Sequence, residues 1–398
     1  MSDPPKAPPG PEPPPSAAQG SLAEVAALFL KLGFIAFGGP AAHIAMMRQE
    51  VVQRRKWIGD QEFLDLFGAA NLIPGPSSTE MAIFLGYVRA GWRALILAGA
   101  LFILPAMAMV LLFAWAYVRF GALPQVGWIL YGIKPVIIAV IAEALWGLSR
   151  SAFKDWLLAA LSIAVIALYL AGVNVFLLLV GGGVLIAVIR GARFGLAHLA
   201  LAVPPAGLPG PSALSAAAAP FSLSALFLTF LKIGAVTYGS GYVLLAFLRS
   251  DFVVRLRWLT DRQLIDAIAV GQFTPGPLFT TATFIGYLMG GLRGAVLATV
   301  GIFLPSFVFV PLIYPLIPRV RHSPVARAFL DGVTAAALGL MAAVTWQLGQ
   351  AAVVDAVTAG IAVVAFGLLH YVRPNSAWLV AGGGLVGVAV HLLNRGTI

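Results

Sequence analysis

Long apolar runs constrain this chain more than any other feature. They cover 21–47, 63–88, 91–118, 126–148 and 156–189, and then 222–248, 264–289, 292–317, 325–348, 351–370 and 377–393. A helix that crosses a bilayer needs about 20 mostly apolar residues. Hydrocarbon offers no partner to backbone N–H and C=O groups, so helices and closed barrels are the structures that span it. The 156–189 run is interrupted at 172–174 and has room for two short spans joined by a tight turn. The first run is too long for a signal-peptide core, and the tail before it is not basic.

Composition agrees. The 398 residues are 60% apolar and 10% charged, with a mean hydropathy of +0.95. A soluble domain carries about 25% charged residues, so a water-soluble globule is excluded. Cysteine is absent, which excludes disulfides, thiolate metal sites and iron–sulfur clusters. The net charge of +10 suits nucleic acid, anionic lipid or an anionic substrate. With lipid as the solvent, nucleic acid drops out. Of the 25 Lys and Arg, 22 lie in the tail, loops or span ends; Lys31, Lys134 and Lys232 remain within runs.

The runs come in two matched sets. Shifted by 201, residues 29–79 overlay 230–280 without gaps, with sixteen identities. Among these are Lys31/Lys232, Gly33/Gly234, Gly38/Gly239, Arg48/Arg249, Trp57/Trp258, Asp60/Asp261 and Asp65/Asp266. A one-residue deletion then changes the offset to 200, and Tyr87/Tyr287, Gly91/Gly291, Pro105/Pro305 and Asp155/Asp355 follow. Shared apolar bias cannot place Pro, Trp, Asp and Lys in common register. The organisation expected is a disordered Pro-rich tail over 1–20, a membrane repeat over 21–195, an Ala/Pro linker over 196–220 and a second repeat over 221–398. Duplicated membrane units point to a transporter whose site lies at the repeat interface near the bilayer midplane. Loop charges do not separate parallel from inverted repeats.

Each repeat carries a break: Pro74-Gly75-Pro76 falls on Pro275-Gly276-Pro277. Two prolines lack donors and glycine admits unusual torsions. Broken backbone at membrane depth needs protein or a water-filled cavity around it. Ser77, Ser78 and Thr79 follow the first break, and Thr280 and Thr281 follow the second. Pro76 and Pro277 suit the start of a half-helix, whose free N–H groups and positive dipole end attract anions. A plain kink with capping hydroxyls is the alternative. Lys31 and Lys232 lie about ten residues into their runs. An ammonium there either serves a site or snorkels to the interface; paired by symmetry, the two could face one central dianion. Gly38, Gly39, Gly239 and Ser240 are break-prone and either admit backbone to a ligand or pack helices closely. Asn71 and Gln272, beside the breaks, complete the expected substrate-binding set with Gly75 and Gly276.

Glu80 stands one residue beyond the first hydroxyl cluster and has no counterpart in the second repeat. It is the candidate for proton coupling, with an ion pair to a lysine as the alternative. Glu143 is expected to pair with Lys134. Segments 48–65 and 249–266 read as basic helices on the membrane surface, N-capped by Asp60 and Asp261. The glycines at 286, 290 and 294 and at 382–387 read as helix packing. No i,i+4 histidine pair and no phosphate-binding loop occurs, so neither a metal nor ATP hydrolysis is expected. No cofactor and no catalytic residues are expected.

With these residues in view, the chain resembles the chromate ion transporter family, long-chain type. The resemblance rests on Phe37-Gly38-Gly39-Pro40, on both Pro-Gly-Pro breaks and on the two-repeat size. It implies export of chromate across the bacterial plasma membrane. It also implies an all-α polytopic fold with inverted repeats, each with about five spanning helices and a re-entrant Pro-Gly-Pro segment. The mechanism expected is alternating access around one dianion site. A sulfate or other oxyanion carrier and a passive anion channel are the rivals. The partners expected are a chromate- or sulfate-like oxyanion and the lipid bilayer, with a homodimer as the candidate assembly.

Overall fold

The computed structural model describes residues 20–37, 39–121, 123–192, 220–238, 241–317 and 323–395. The expected tail and linker lie outside this range except for Gly20 and Pro220, as do Gly38, Gly239 and Ser240. Every regular element among the described residues is a helix.

Each half opens with two helical hairpins that enter and leave on one side. In the first hairpin, α1 (Leu22–Ile35) ends at Ala36, and α2 (Gly39–Arg48) continues into a π-helical turn over Gln49–Arg54. The return is fixed by charge: Glu50 meets Lys31 at 2.9 Å, and Arg55 reaches Glu24 at 3.5 Å. In the second, α3 (Asp60–Ala70) runs in to the Pro-Gly-Pro break, and α4 (Ser77–Phe120) begins just after it. The short arm of α4, residues 77–89, brings Arg89 back to Glu24 at 2.9 Å and over the Trp57 ring at 5.1 Å. The Pro-Gly-Pro segment is therefore re-entrant.

Ala90 and Gly91 then leave helical geometry, Gly91 with φ 72, and the chain reverses into a long arm over 92–120. The two arms touch at Gly86, where a Cβ would overlap the Ala94 carbonyl. The second half repeats the plan with α8 (Leu223–Val236), α9 (Leu244–Leu248), a π turn over Arg249–Arg255, α10 (Asp261–Phe273) and α11 (Thr281–Ile313). Its reversal falls at Gly290-Gly291, where Gly286 and Gly294 are in mutual backbone contact. The second short arm is one residue shorter and begins with a 3-10 turn over Leu278–Thr280. A 3-10 residue rises about 2.0 Å against about 1.5 Å in an α-helix, so three of them recover the missing length.

The remaining helices exchange partners between halves. α5 (Pro124–Ala152) packs on α13 (Ala356–Tyr371) and α14 (Ser376–Arg395), and α12 (Pro324–Ala352) packs on α6 (Trp156–Leu170) and α7 (Val175–Ala192). Tyr131 bonds Asp355 and Trp146 meets His370, so α5 runs parallel to α13. Likewise Lys154 bonds Asp331 and Ser162 bonds Ala335, so α12 runs parallel to α6. A short turn makes α5 and α6 antiparallel; α5 and its counterpart α12 therefore run in opposite directions. A twofold axis lying across the helices produces this, and in a bilayer it makes the halves inverted. By length and composition α4, α5, α11, α12 and α14 are each sufficient to cross a membrane, with α6, α7, α8 and α13 as shorter apolar helices. The protein is an all-α, multi-pass membrane protein of two repeats.

Several duplicated residues prove to be scaffold. Asp155 caps α6 by accepting the Leu158 N–H at 3.0 Å, and Asp355 caps α13 by accepting that of Thr358 at 2.8 Å. Asp60 and Asp261 are not the caps expected; Gly59 and Thr260 hold those positions. Each aspartate is turned instead to an arginine twelve residues back, at 2.7 Å for Arg48 and 2.8 Å for Arg249. Nor are 48–65 and 249–266 continuous helices. Lys56 (φ 51) and Arg257 (φ 55) take left-handed backbone and separate the π turn from the next helix.

Candidate functional site

The hairpin tips of the two halves interlock. The Gly75 N–H donates to the Thr237 carbonyl at 2.7 Å, and the Gly276 N–H donates to the Ala36 carbonyl at 2.8 Å. The Ala36 carbonyl also accepts the Nε2–H of His43 at 2.9 Å. Every acceptor here is the frayed end of a first helix, where carbonyls lack helical partners. The backbone donor in each half is the glycine between two prolines. α1 is about 21 Å long at 1.5 Å per residue, against a hydrocarbon core of about 30 Å. Tips entering from opposite faces therefore overlap near the midplane.

Two short-arm N-termini open at this junction. Ser77, Ser78, Thr79 and Glu80 are buried there in the first half, and Thr280 and Thr281 in the second. The halves differ in what is left free. Thr280 and Thr281 donate their hydroxyls to the Pro277 and Leu278 carbonyls, each at 2.8 Å. Among the described residues Thr79 Oγ1 and Glu80 Oε2 are buried without a partner. Ser306 of α11 donates to Glu80 Oε1 at 3.3 Å. Gly75 has φ 143, and a Cβ on it would overlap Glu80 Oε1 and Ser306 Oγ. Gly276 has φ 97, and a Cβ on it would lie 2.6 Å from Ala106 Cβ. Both glycines are thus required by backbone and by space. Gln272 faces the Tyr242 hydroxyl, which lies 3.6 Å from the Cβ position of Gly39. Asn71 is exposed.

Lys31 and Lys232 lie on the outer faces of α1 and α8, with side chains about half exposed. Two residues on, Gly33 and Gly234 pack on the opposite faces against backbone of the long arms. Both lysines are paired: Lys31 with Glu50 at 2.9 Å and Lys232 with Asp251 at 2.6 Å. Glu50 also takes Arg54 at 2.9 Å, and Asp251 takes Arg255 at 2.8 Å. A cavity of about 290 Å³ opens at Lys232 and Asp251, walled in part by Asn174 and Ser250. A larger one of about 550 Å³ between α4, α5, α10 and α14 is lined by Phe113, Phe273 and Leu385 among others. Its apolar walls suit lipid chains and not an oxyanion.

Lys134 pairs with Asp266 of the other half at 3.0 Å, and Tyr117 donates to the same carboxylate at 2.9 Å. The expected partner, Glu143, lies nine residues along α5, about 13 Å away by helical rise. Glu80 likewise has no ion pair among the described residues. Sequence reasoning missed Glu50, Asp251, Ser306, Tyr238 and His43. One signal was available: Glu50 and Asp251 match at offset 201 as a carboxylate in both repeats, which a count of identities does not register.

The family described as "Chromate transporter" matches residues 23–187 and again 224–388. A chromate transport protein of Cupriavidus metallidurans is 35% identical over 398 residues, covering 96% of this chain and 98% of the relative. One from Pseudomonas aeruginosa is 33% identical over 388 residues, with 94% and 91% covered. A probable chromate transport protein of Synechococcus elongatus is 30% identical over 355 residues, with 87% and 89% covered. No solved structure matches the chain. Both matched segments coincide with the two interlocked halves, and their family is one of transporters and not of enzymes. The chain belongs to the chromate transporter family.

Proposed function

We propose that the protein exports chromate from the bacterial cytoplasm across the plasma membrane by alternating access at the interlocked tips. The reciprocal pair of bonds, Gly75 to Thr237 and Gly276 to Ala36, carries this reading. It gathers both re-entrant breaks and both first-helix ends at one central point. Half-helix N-termini and Thr79 Oγ1 supply donors for a tetrahedral dianion. Lys31 and Lys232, each beside its acid, supply positive charge along the approach from either face. A dianion leaving an inside-negative cell gains about 4.6 kcal/mol per 100 mV, so export needs no ATP.

Flux of chromate into and out of proteoliposomes tests the reading, with sulfate as competitor and voltage imposed. Saturation, counterflow and acceleration by an inside-negative potential are expected. Unsaturable flux without counterflow identifies a channel, and preference for sulfate reassigns the substrate. A homodimer belongs to the same reading, and crosslinking in native membranes tests it.

A further inference from the structure

The first-half cradle already contains an acid. Glu80 is fully buried in the first turn of the short arm. Its Oε1 lies against Gly75 and accepts from Ser306, while its Oε2 has no partner among the described residues. Beside it Thr79 Oγ1 is also buried and, among the described residues, unpartnered. A half-helix N-terminus with free donors is where the proposed dianion would bind, and a carboxyl group occupies part of that space. The second half has no such group: Thr281 stands at the matched position and is tied to Leu278.

We propose that Glu80 binds a proton together with the oxyanion, so that one proton crosses in the same direction as each dianion. This rests on the transport reading above. An ionised carboxylate and a dianion at one cradle repel. A proton on Oε2 removes the repulsion and turns that oxygen into a donor toward the anion. When the anion leaves, the proton leaves Oε2 for water on the same side. The carboxylate, held by Ser306 and the helix dipole, then satisfies the cradle while the empty carrier returns.

The groups around Glu80 leave this role to it. α11 contributes Ser306, and the tip after α8 contributes Tyr238. His43 of α2 gives its Nε2–H to Ala36, and Lys31 of α1 is turned to Glu50. The buried residues of the long arm include no titratable group.

The consequence is a stoichiometry: one net negative charge moves per dianion rather than two. In proteoliposomes the voltage at which chromate flux reverses is measured against imposed chromate and pH gradients. The native protein should shift by about 59 mV per tenfold chromate gradient, and equally per tenfold proton gradient. Glu80→Gln should shift by about 30 mV per tenfold chromate gradient and ignore pH. A reversal voltage reads stoichiometry and not rate, so a slow variant remains informative. Should the variant not transport at all, Glu80→Asp, which keeps the carboxyl group, replaces it and should retain the native slope and pH dependence, and loss of either overturns the inference. A native slope near 30 mV or below, without pH dependence, overturns the inference while leaving chromate transport standing. Retention of the native slope in Glu80→Gln also overturns it, because the oxyanion would then carry its own proton. Absence of any chromate flux overturns the transport reading itself.

Discussion

The amide of Gly75 donates to the carbonyl of Thr237 at 2.7 Å, tying the break of one half to the first helix of the other. This contact needs glycine twice over, because φ is 143 and a Cβ would strike Glu80 and Ser306. Gly75→Ala should therefore lower chromate flux more than tenfold, with backbone strain of about 1–3 kcal/mol added to the overlap. Gly276→Ala should do the same from the other side. Gly59→Ala is the control, since nothing lies within 4 Å of its Cβ position and its φ is −73. Flux per amount of membrane protein is the measurement. Native flux in Gly75→Ala would remove the tip from the machinery.

The two lysines should respond unequally. Removing Lys31 leaves Glu50 with Arg54 at 2.9 Å and Arg55 at 3.4 Å. Removing Lys232 leaves Asp251 with Arg255. Lys232→Ala should thus lose transport at least tenfold and Lys31→Ala less. Adding Asp251→Asn to Lys232→Ala should restore part of the loss by removing the stranded carboxylate. Equal losses with no restoration would mean that each lysine acts on the anion directly.

Lys134 and Asp266 form a buried pair between halves, with side chains 7% and 2% exposed. Stranding one member of such a pair costs about 3–5 kcal/mol, whereas replacing both by apolar groups is often neutral. Lys134→Met should lower the melting temperature in detergent markedly. Lys134→Met with Asp266→Leu should regain most of it. A double variant as unstable as the single one would show that Asp266 has a further structural duty.

Asp155 lies in the turn before α6, and its carboxyl is held below the usual range by the Leu158 N–H and by Arg190. A depressed carboxylate contributes stability above its unfolded pKa of about 3.9 and loses it as pH falls through the lower folded value. Melting temperature should hold down to about pH 4 and fall below that. Asp155→Asn should start lower at pH 7 and show a shallower acid decline. An unchanged acid limb in the variant would assign the decline to other carboxylates.

Much of this fold was legible in the chain. Duplicated Pro-Gly-Pro residues marked the breaks, while that the segments are re-entrant came from the family resemblance alone; the 172–174 interruption marked a turn that Gly172 makes with φ 90. The glycines at 286 and 294 read as packing and do pack. Charge partners were not legible, because they are set by the hairpins. Lys31 meets a carboxylate nineteen residues away only once α2 has folded back along α1. Lys134 meets Asp266 across the repeat interface, at a distance no periodicity encodes. Asp60 missed its expected capping role because Arg48 competes for the same oxygens.

The interlocked tips also bear on how such a chain is made. Ribosomes deliver the first half well before the second, and until then the Gly75 N–H has no Thr237 carbonyl to accept its hydrogen bond. A buried N–H without an acceptor is costly in hydrocarbon. The nascent first half must therefore wait in a wetter or chaperoned state, its tip unfinished. Two separately expressed halves should assemble into a working carrier only if they meet before either one is cleared.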